Sequence, residues 1–244
     1  MKVILDRIKI PAQLKNYVAY VYSNSTINNF PDIELPDGLP EVLFIIDGGI
    51  KKRPLSSTEK PNTISQSSII DLQEDACMTT NLGNLNSIGI KFTPIGFYLF
   101  LSSLGILKTN KLISISEIKN KFLSTLNNEI LLSKNSNEAI LILEKFFENI
   151  QLKFKEKESD TTALLSDCIT LIKASKGTIK KNQLAKKVSI STDNLETYFQ
   201  DYLGVSIEKL IAILKIATED KIKPFEPILD EISISDLMKD VLKK

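Results

Sequence analysis

Between residues 180 and 200 the chain sets lysines at Lys180, Lys181, Lys186 and Lys187 beside hydroxyl and amide side chains at Thr192, Asn194, Thr197 and Gln200. Ammonium groups neutralise phosphates, and Thr, Asn and Gln offer donors and acceptors to base edges, so this set could hold a nucleic-acid duplex. The plainer reading of the same lysines is a solvated helix face. No other set offers comparable chemistry. The chain has no histidine, which excludes histidine bases, nucleophile–histidine pairs and histidine metal ligands together. Cys77 and Cys168 lie far apart without C-x-x-C spacing; two buried thiols are expected, with no disulfide framework or zinc site. Asp37 and Glu41 are spaced like an acid/base pair, but Asp37 precedes Gly38 and reads as a turn former, with Glu41 a local ion-pair or hydrogen-bond partner. We expect no catalytic residue, no metal, no cofactor and no enzymatic activity.

The lysine set needs two short helices to position it. Gln183 to Phe199 reads as a helix-turn-helix. Leu184 and Ala185 lie inside the first helix, where a small residue lets a second helix cross closely. Ser189-Ile190 form the turn. Ser191 can cap the second helix, with Asn194 three residues on. Leu195 and Phe199, four apart, share one face and point to the core. Leu184, Ala185, Val188, Ile190, Leu195 and Phe199 are the expected core of this region. Gly204-Val205-Ser206 ends the motif, and a long helix starts at Ser206.

The chain upstream has a different period. Residues 1 to about 110 carry short apolar runs between Gly, Pro and Asp turns, which suit a barrel or sandwich. Glu41 to Ile46 is a nearly continuous apolar strand that Asp47-Gly48-Gly49 should close as a hairpin turn. Thr63 to Leu72 reads as one strand or two, and Ser87 to Phe92 alternates up to Thr93-Pro94. From there the spacing is helical: Ile95 to Leu104, Ser116 to Leu126 and Ser136 to Ile150, the last with an Ile140, Leu143, Phe146, Phe147, Ile150 core stripe. Lys153 to Thr161 is a charged linker candidate or a solvated helix end. The fold class is therefore α+β: an N-terminal β-barrel or sandwich with appended helices over 1–155, then an all-α helix-turn-helix lobe over 160–244. Within the second part the motif occupies about 180–204, and a short helical tail follows.

At 244 residues, with 43% hydrophobic and 25% charged side chains, the chain can bury a large core. Its formal net charge is +1, so charge alone names no partner. The N-terminus is charged too early for a signal peptide, and no apolar run approaches the ~20 residues of a membrane span. A cytoplasmic protein without a membrane partner is expected.

The stretch L-A-x(5)-S-x(3)-L-x(3)-F-x(4)-G-x-S from Leu184 is similar to the first helix-turn-helix of AraC/XylS-type transcription regulators. Upstream, Pro36-Asp37-Gly38 with Glu41-Val42, and Gly89-Ile90-Lys91-Phe92-Thr93-Pro94-Ile95-Gly96, resemble markers of the sensor-like domain that some of these regulators carry. The resemblance covers roughly residues 10 to 215. It implies transcription regulation, with DNA, a small-molecule effector and a second copy of the chain as partners.

Three departures qualify it. The family's arginine two residues after the capping serine is Asp193 here, and its next arginine is Thr197. The turn glycine is Ser189, which costs about 1 kcal/mol if its φ is positive. About 30 residues follow the long helix, where a second motif of the family needs roughly 50, so most of that motif is expected to be lacking; Glu231 to Val241 supplies its first helix at most. From Asp160 onward about 13 basic residues face about 13 acidic ones, where a DNA reader normally shows a positive stripe. The expectation is an AraC/XylS-like regulator with weakened DNA binding. The alternative is a regulator-derived ligand- or protein-binding module that no longer holds DNA.

Overall fold

The computed structural model describes residues 2–5, 8–27, 30–58, 60–106 and 112–220. The tail beyond 220, including Glu231 to Val241, lies outside the described residues.

Among the described residues eight strands form one antiparallel sheet: β1 (Lys2–Ile4), β2 (Val18–Thr26), β3 (Asp32–Glu34), β4 (Glu41–Pro54), β5 (Asn62–Ile64), β6 (Ser68–Ile70), β7 (Cys77–Phe92) and β8 (Leu112–Ser114). The order is β1-β2-β7-β4-β6-β8, with β3 added to β7 and β5 to β4. Among the described residues no pairing joins β1 to β8, so the expected barrel is corrected to an open, curled sheet. The long strands β4 and β7 curl it. Asp47-Gly48-Gly49 is not the expected hairpin turn but a bulge within β4, where the register against β7 slips on both sides of Asp47. Gly48 has φ +73°, and a Cβ there would stand 2.5 Å from the Asn84 carbonyl oxygen, so only glycine fits this bend.

The curl divides the side chains by strand parity. Tyr22, Leu43, Ile45, Ile64 and Leu85 form a small core on the inner face. Val21, Val42, Phe44, Ile88, Ile90 and Phe92 point the other way, into a larger core shared with the helices.

Seven α-helices follow among the described residues: α1 (Pro94–Ser103), α2 (Lys121–Leu131), α3 (Ser136–Lys157), α4 (Asp160–Ala174), α5 (Lys181–Lys187), α6 (Thr192–Tyr198) and α7 (Ile207–Asp220). The first four starts each have a local cause. Thr93 caps α1 ahead of Pro94, Asn120 caps α2, Asn135 caps α3, and Ser159 caps α4 in a capping box with Thr162. The expected stripe on α3, from Ile140 to Ile150, is buried throughout. Lys153 to Thr161 takes the helix-end alternative: α3 runs to Lys157, and α4 begins at Asp160. The larger core is continuous from Leu5 to Leu214, so apolar packing joins the sheet and its helices to the helix-turn-helix region.

Candidate nucleic-acid interface

Helices α5 and α6 make the expected helix-turn-helix. Leu184, Leu195 and Phe199 are fully buried and Ala185 nearly so; Val188 and Ile190 are half-buried against the same core. Ser191 Oγ accepts the Asn194 N–H at 3.2 Å, as its capping role requires. Ser189 has φ +57°, so a serine occupies the left-handed turn position with its conformational cost. α6 continues as a π turn, Phe199–Leu203, to Gly204, and the Lys209 N–H donates to Ser206 Oγ at 3.2 Å as α7 begins.

The eight candidate DNA contacts are spread over several faces. Lys186 and Lys187 are exposed in the last turn of α5. Lys180 is exposed just before that helix, where its backbone N–H donates to Gln183 Oε1 at 3.0 Å. Lys181 pairs with Glu208 of α7 at 3.1 Å; both ends are solvent-accessible, so the pair is weak and the lysine can leave it. Asn194, Thr197 and Gln200 are exposed, while Thr192 is half-buried. At about 100° per residue, Asp193 and Thr197 stand opposite Leu195 on α6 and form the centre of its outward face. Thr197 Oγ1 donates back to the Asp193 carbonyl at 3.0 Å, which turns its hydroxyl toward its own helix. Asp193 is exposed and Glu196 half-buried on the adjacent flank. The centre of the outward face is thus acidic and poor in donors, with the lysines on the neighbouring helix.

A second feature lies between the sheet and the helices. A cavity of about 560 Å³ has one wall from Ala19, Tyr20, Leu35, Pro36, Asp37, Leu39 and Thr93, and another from Lys173 on α4 and Leu214, Ala217 and Thr218 on α7. Behind its floor is a buried polar cluster. Lys91 Nζ lies 3.0 Å from Asp37 Oδ2 and 3.5 Å from Glu41 Oε2, and donates to the Leu39 carbonyl at 3.1 Å. Tyr22 OH donates to Glu41 Oε2 at 2.9 Å. Burial alone would pull the Lys91 ammonium down, but the carboxylates of Glu41 and Asp37 outweigh it and hold it above its ordinary value. Burial pushes Tyr20 up to about 12; it also raises Tyr22 well above its ordinary value, and there the Glu41 carboxylate adds to the effect.

Asp37 also holds its turn, accepting the Leu39 N–H at 2.9 Å. Asp37 and Glu41 are therefore locked into structure, as the turn-and-partner reading expects. That reading missed their common partner Lys91. The signal was parity: Leu85, Ser87, Gly89 and Lys91 alternate on β7, so Lys91 must face the inner side. The walls from α4 and α7 had no sequence signal. Cys77 and Cys168 are free and buried. Among the described residues no acidic or cysteine cluster is placed to hold a metal, and no helix is long and apolar enough to cross a membrane.

No family model matches the chain, and no curated protein matches it. Among solved structures it is similar to ToxT from Vibrio cholerae with a bound unsaturated fatty acid, at 11% identity over 88% of this chain and 82% of that one, TM-score 0.47. It is also similar to the AraC-like transcriptional activator CuxR, at 13% identity over 82% and 75%, TM-score 0.35. A third is ToxT from Vibrio cholerae O395, at 16% identity over 80% and 96%, TM-score 0.29. With all three TM-scores below 0.5, none of these likenesses carries functional weight.

Proposed function

We propose that the chain is an AraC/XylS-like transcription regulator that binds DNA through α5 and α6 with a weakened grip, in the cytoplasm. The carrying observation is the helix-turn-helix itself: Leu184, Leu195 and Phe199 fully buried, Ser191 capping α6, and the outward face of α6 with the α5 lysines left open to solvent. Residues 1–155 act as the sensor unit and 160–244 as the DNA-binding unit. The cavity between them is of a size that takes a small molecule, and an effector seated there would touch both units at once. Lys180, Lys181, Lys186 and Lys187 serve as phosphate contacts, and Thr192, Asn194, Thr197 and Gln200 are the side chains offered to base edges.

The grip is weak because Asp193 occupies the centre of the presented face. An anion there repels phosphate and releases no counterion. The same observation favours the second reading, a regulator-derived module that uses these helices for ligand or protein contacts only. Titrating the full chain into labelled mixed-sequence duplex at stepped salt separates the two. Binding at low salt that falls linearly on a log–log plot supports the regulator. Absence of binding at the lowest salt supports the module.

A further inference from the structure

The buried cluster under the cavity does not balance its charge. Lys91 brings one ammonium, while Asp37 and Glu41 bring a carboxylate each. Among the described residues no second cation pairs with either acid. Glu34, the next carboxylate, is matched by Lys52 at 2.7 Å. Tyr22 gives Glu41 only a neutral hydrogen bond. One negative charge is left over beside a low-dielectric core, where an unmatched charge is costly.

The excess opens in one direction. The Glu41 and Lys91 side chains are sealed, at 7% and 6% exposed, whereas Asp37 is 37% exposed and lines the cavity. Its Oδ1 accepts the Leu39 N–H and its Oδ2 faces Lys91. A carboxylate offers about four lone-pair sites, so Asp37 can take a further donor from the cavity. Tyr20, on the same wall, carries the mark of the imbalance. Burial is the first cause of its raised value, and the charges acting on it are one ammonium, Lys91, against the carboxylates of Asp37, Glu41 and Glu34.

The hydroxyls of the lining are already engaged. Thr93 Oγ1 donates to the Asn16 carbonyl and accepts the Gly96 N–H, and Thr218 Oγ1 donates to the Leu214 carbonyl. Leu35, Pro36, Leu39, Leu214 and Ala217 leave the remaining surface apolar. Lys173 stands on the opposite wall, so a cation settles on the sheet side. An anion drawn to Lys173 would add to the negative excess across the cavity.

We propose that the cavity takes an organic amine, its ammonium seated on Asp37 and its apolar body packed between Leu35 and Leu39 on one wall and Leu214 and Ala217 on the other. The inference rests on the reading of this cavity as the effector site and names the class of effector.

Calorimetric titration of the full chain at neutral pH with octylammonium, octanol and octanoate tests it, since the three share one chain and differ in the head. Octylammonium should bind at least about tenfold tighter than octanol, as a charge-assisted bond replaces a neutral one. Octanoate should bind more weakly than octanol. Ala217→Phe, which fills the cavity from α7, should abolish all three. Asp37→Asn should bring octylammonium down to the affinity of octanol. The wild-type order and the Ala217→Phe block decide the matter even where Asp37→Asn does not fold. Equal affinity for the three heads, or octanoate the tightest, overturns the amine while the cavity remains an effector site. A preference for octylammonium that a folded Asp37→Asn keeps overturns it as well. No binding of any of the three at about 3 mM, or binding indifferent to Ala217→Phe, overturns the effector reading and the proposal with it.

Discussion

Gly38 packs directly on Leu214: a Cβ on Gly38 would stand 2.7 Å from Leu214 Cδ2, with Gly38 at φ +71°. The turn that carries Asp37 toward Lys91 therefore touches α7, the helix leading out of the helix-turn-helix. Gly38→Ala must bear a left-handed backbone and displace the Leu214 methyl. The methyl can swing aside, so backbone strain dominates, and the loss should be about 1–2 kcal/mol. Denaturant unfolding reads it; an unchanged midpoint would mean that the turn takes an alanine without left-handed strain.

Ser189 lies at φ +57°, where the resembling family has glycine. Ser189→Gly should remove the left-handed strain while raising the entropy of the unfolded chain. The strain is the larger, so a net gain of about 0.5 kcal/mol is expected. A loss on chemical denaturation would show that serine holds the turn by another route.

This turn marks how far the sequence could be read. Local chemistry was legible: Ser191 as a cap, Leu195 and Phe199 as a core pair, Ser189 as a strained substitute. The α3 stripe was legible too, because its period is intrinsic to the helix. Asp47-Gly48-Gly49 misled, because a glycine that permits positive φ serves a bulge as readily as a hairpin, and only pairing with β7 decides between them. Closure of the sheet and the walls of the cavity depend on residues far apart in the chain, Gly38 against Leu214 for example, and no local pattern encodes such a contact.

The cluster under the cavity makes stability sensitive to alkali. Lys91, Tyr20 and Tyr22 all have raised values in the folded chain. A group raised on folding stabilises fully below its unfolded value and loses that contribution as pH rises toward its folded one. The unfolded values are about 10 for tyrosine and about 10.4 for lysine. These groups should thus contribute fully and give no pH dependence near neutrality, with stability falling above about pH 10, continuing to about 12 for Tyr20. Ultraviolet titration of the phenolates alongside circular dichroism should find Tyr22 ionising together with unfolding. Free ionisation of every tyrosine near its ordinary value, with the fold intact, would contradict the burial.

Removing the cation is the sharper test of the same cluster. Lys91 is 5% exposed, and Lys91→Met leaves Asp37 and Glu41 without their counter-ion next to a low-dielectric core. A loss of about 3–5 kcal/mol is expected. Tyr22→Phe, which removes one hydrogen bond to Glu41 but keeps the ion pair, should cost only about 1–3 kcal/mol. The order of the two, read by unfolding, matters more than either size; equal losses would mean that the ion pair contributes nothing beyond packing.

The acidic centre of α6 decides how well the motif can hold DNA. Asp193 and Thr197 stand on its outward face, and neither the turn nor the core depends on their side chains. Asp193→Arg with Thr197→Arg changes the charge of that face by three units while leaving Leu195 and Phe199 in place. Each arginine that reaches a phosphate should steepen the salt dependence of duplex binding by about 0.9 on a log–log plot, so an increase of about 1–2 in slope is expected, with tighter binding at low salt. The control is Glu129→Arg with Asn128→Arg on the exposed side of α2, which adds the same charge at a distance. If the control tightens binding as much as the α6 pair, the effect is one of net charge and α6 does not face the duplex. If neither variant binds, the helices are not a DNA surface, and the module reading replaces the regulator.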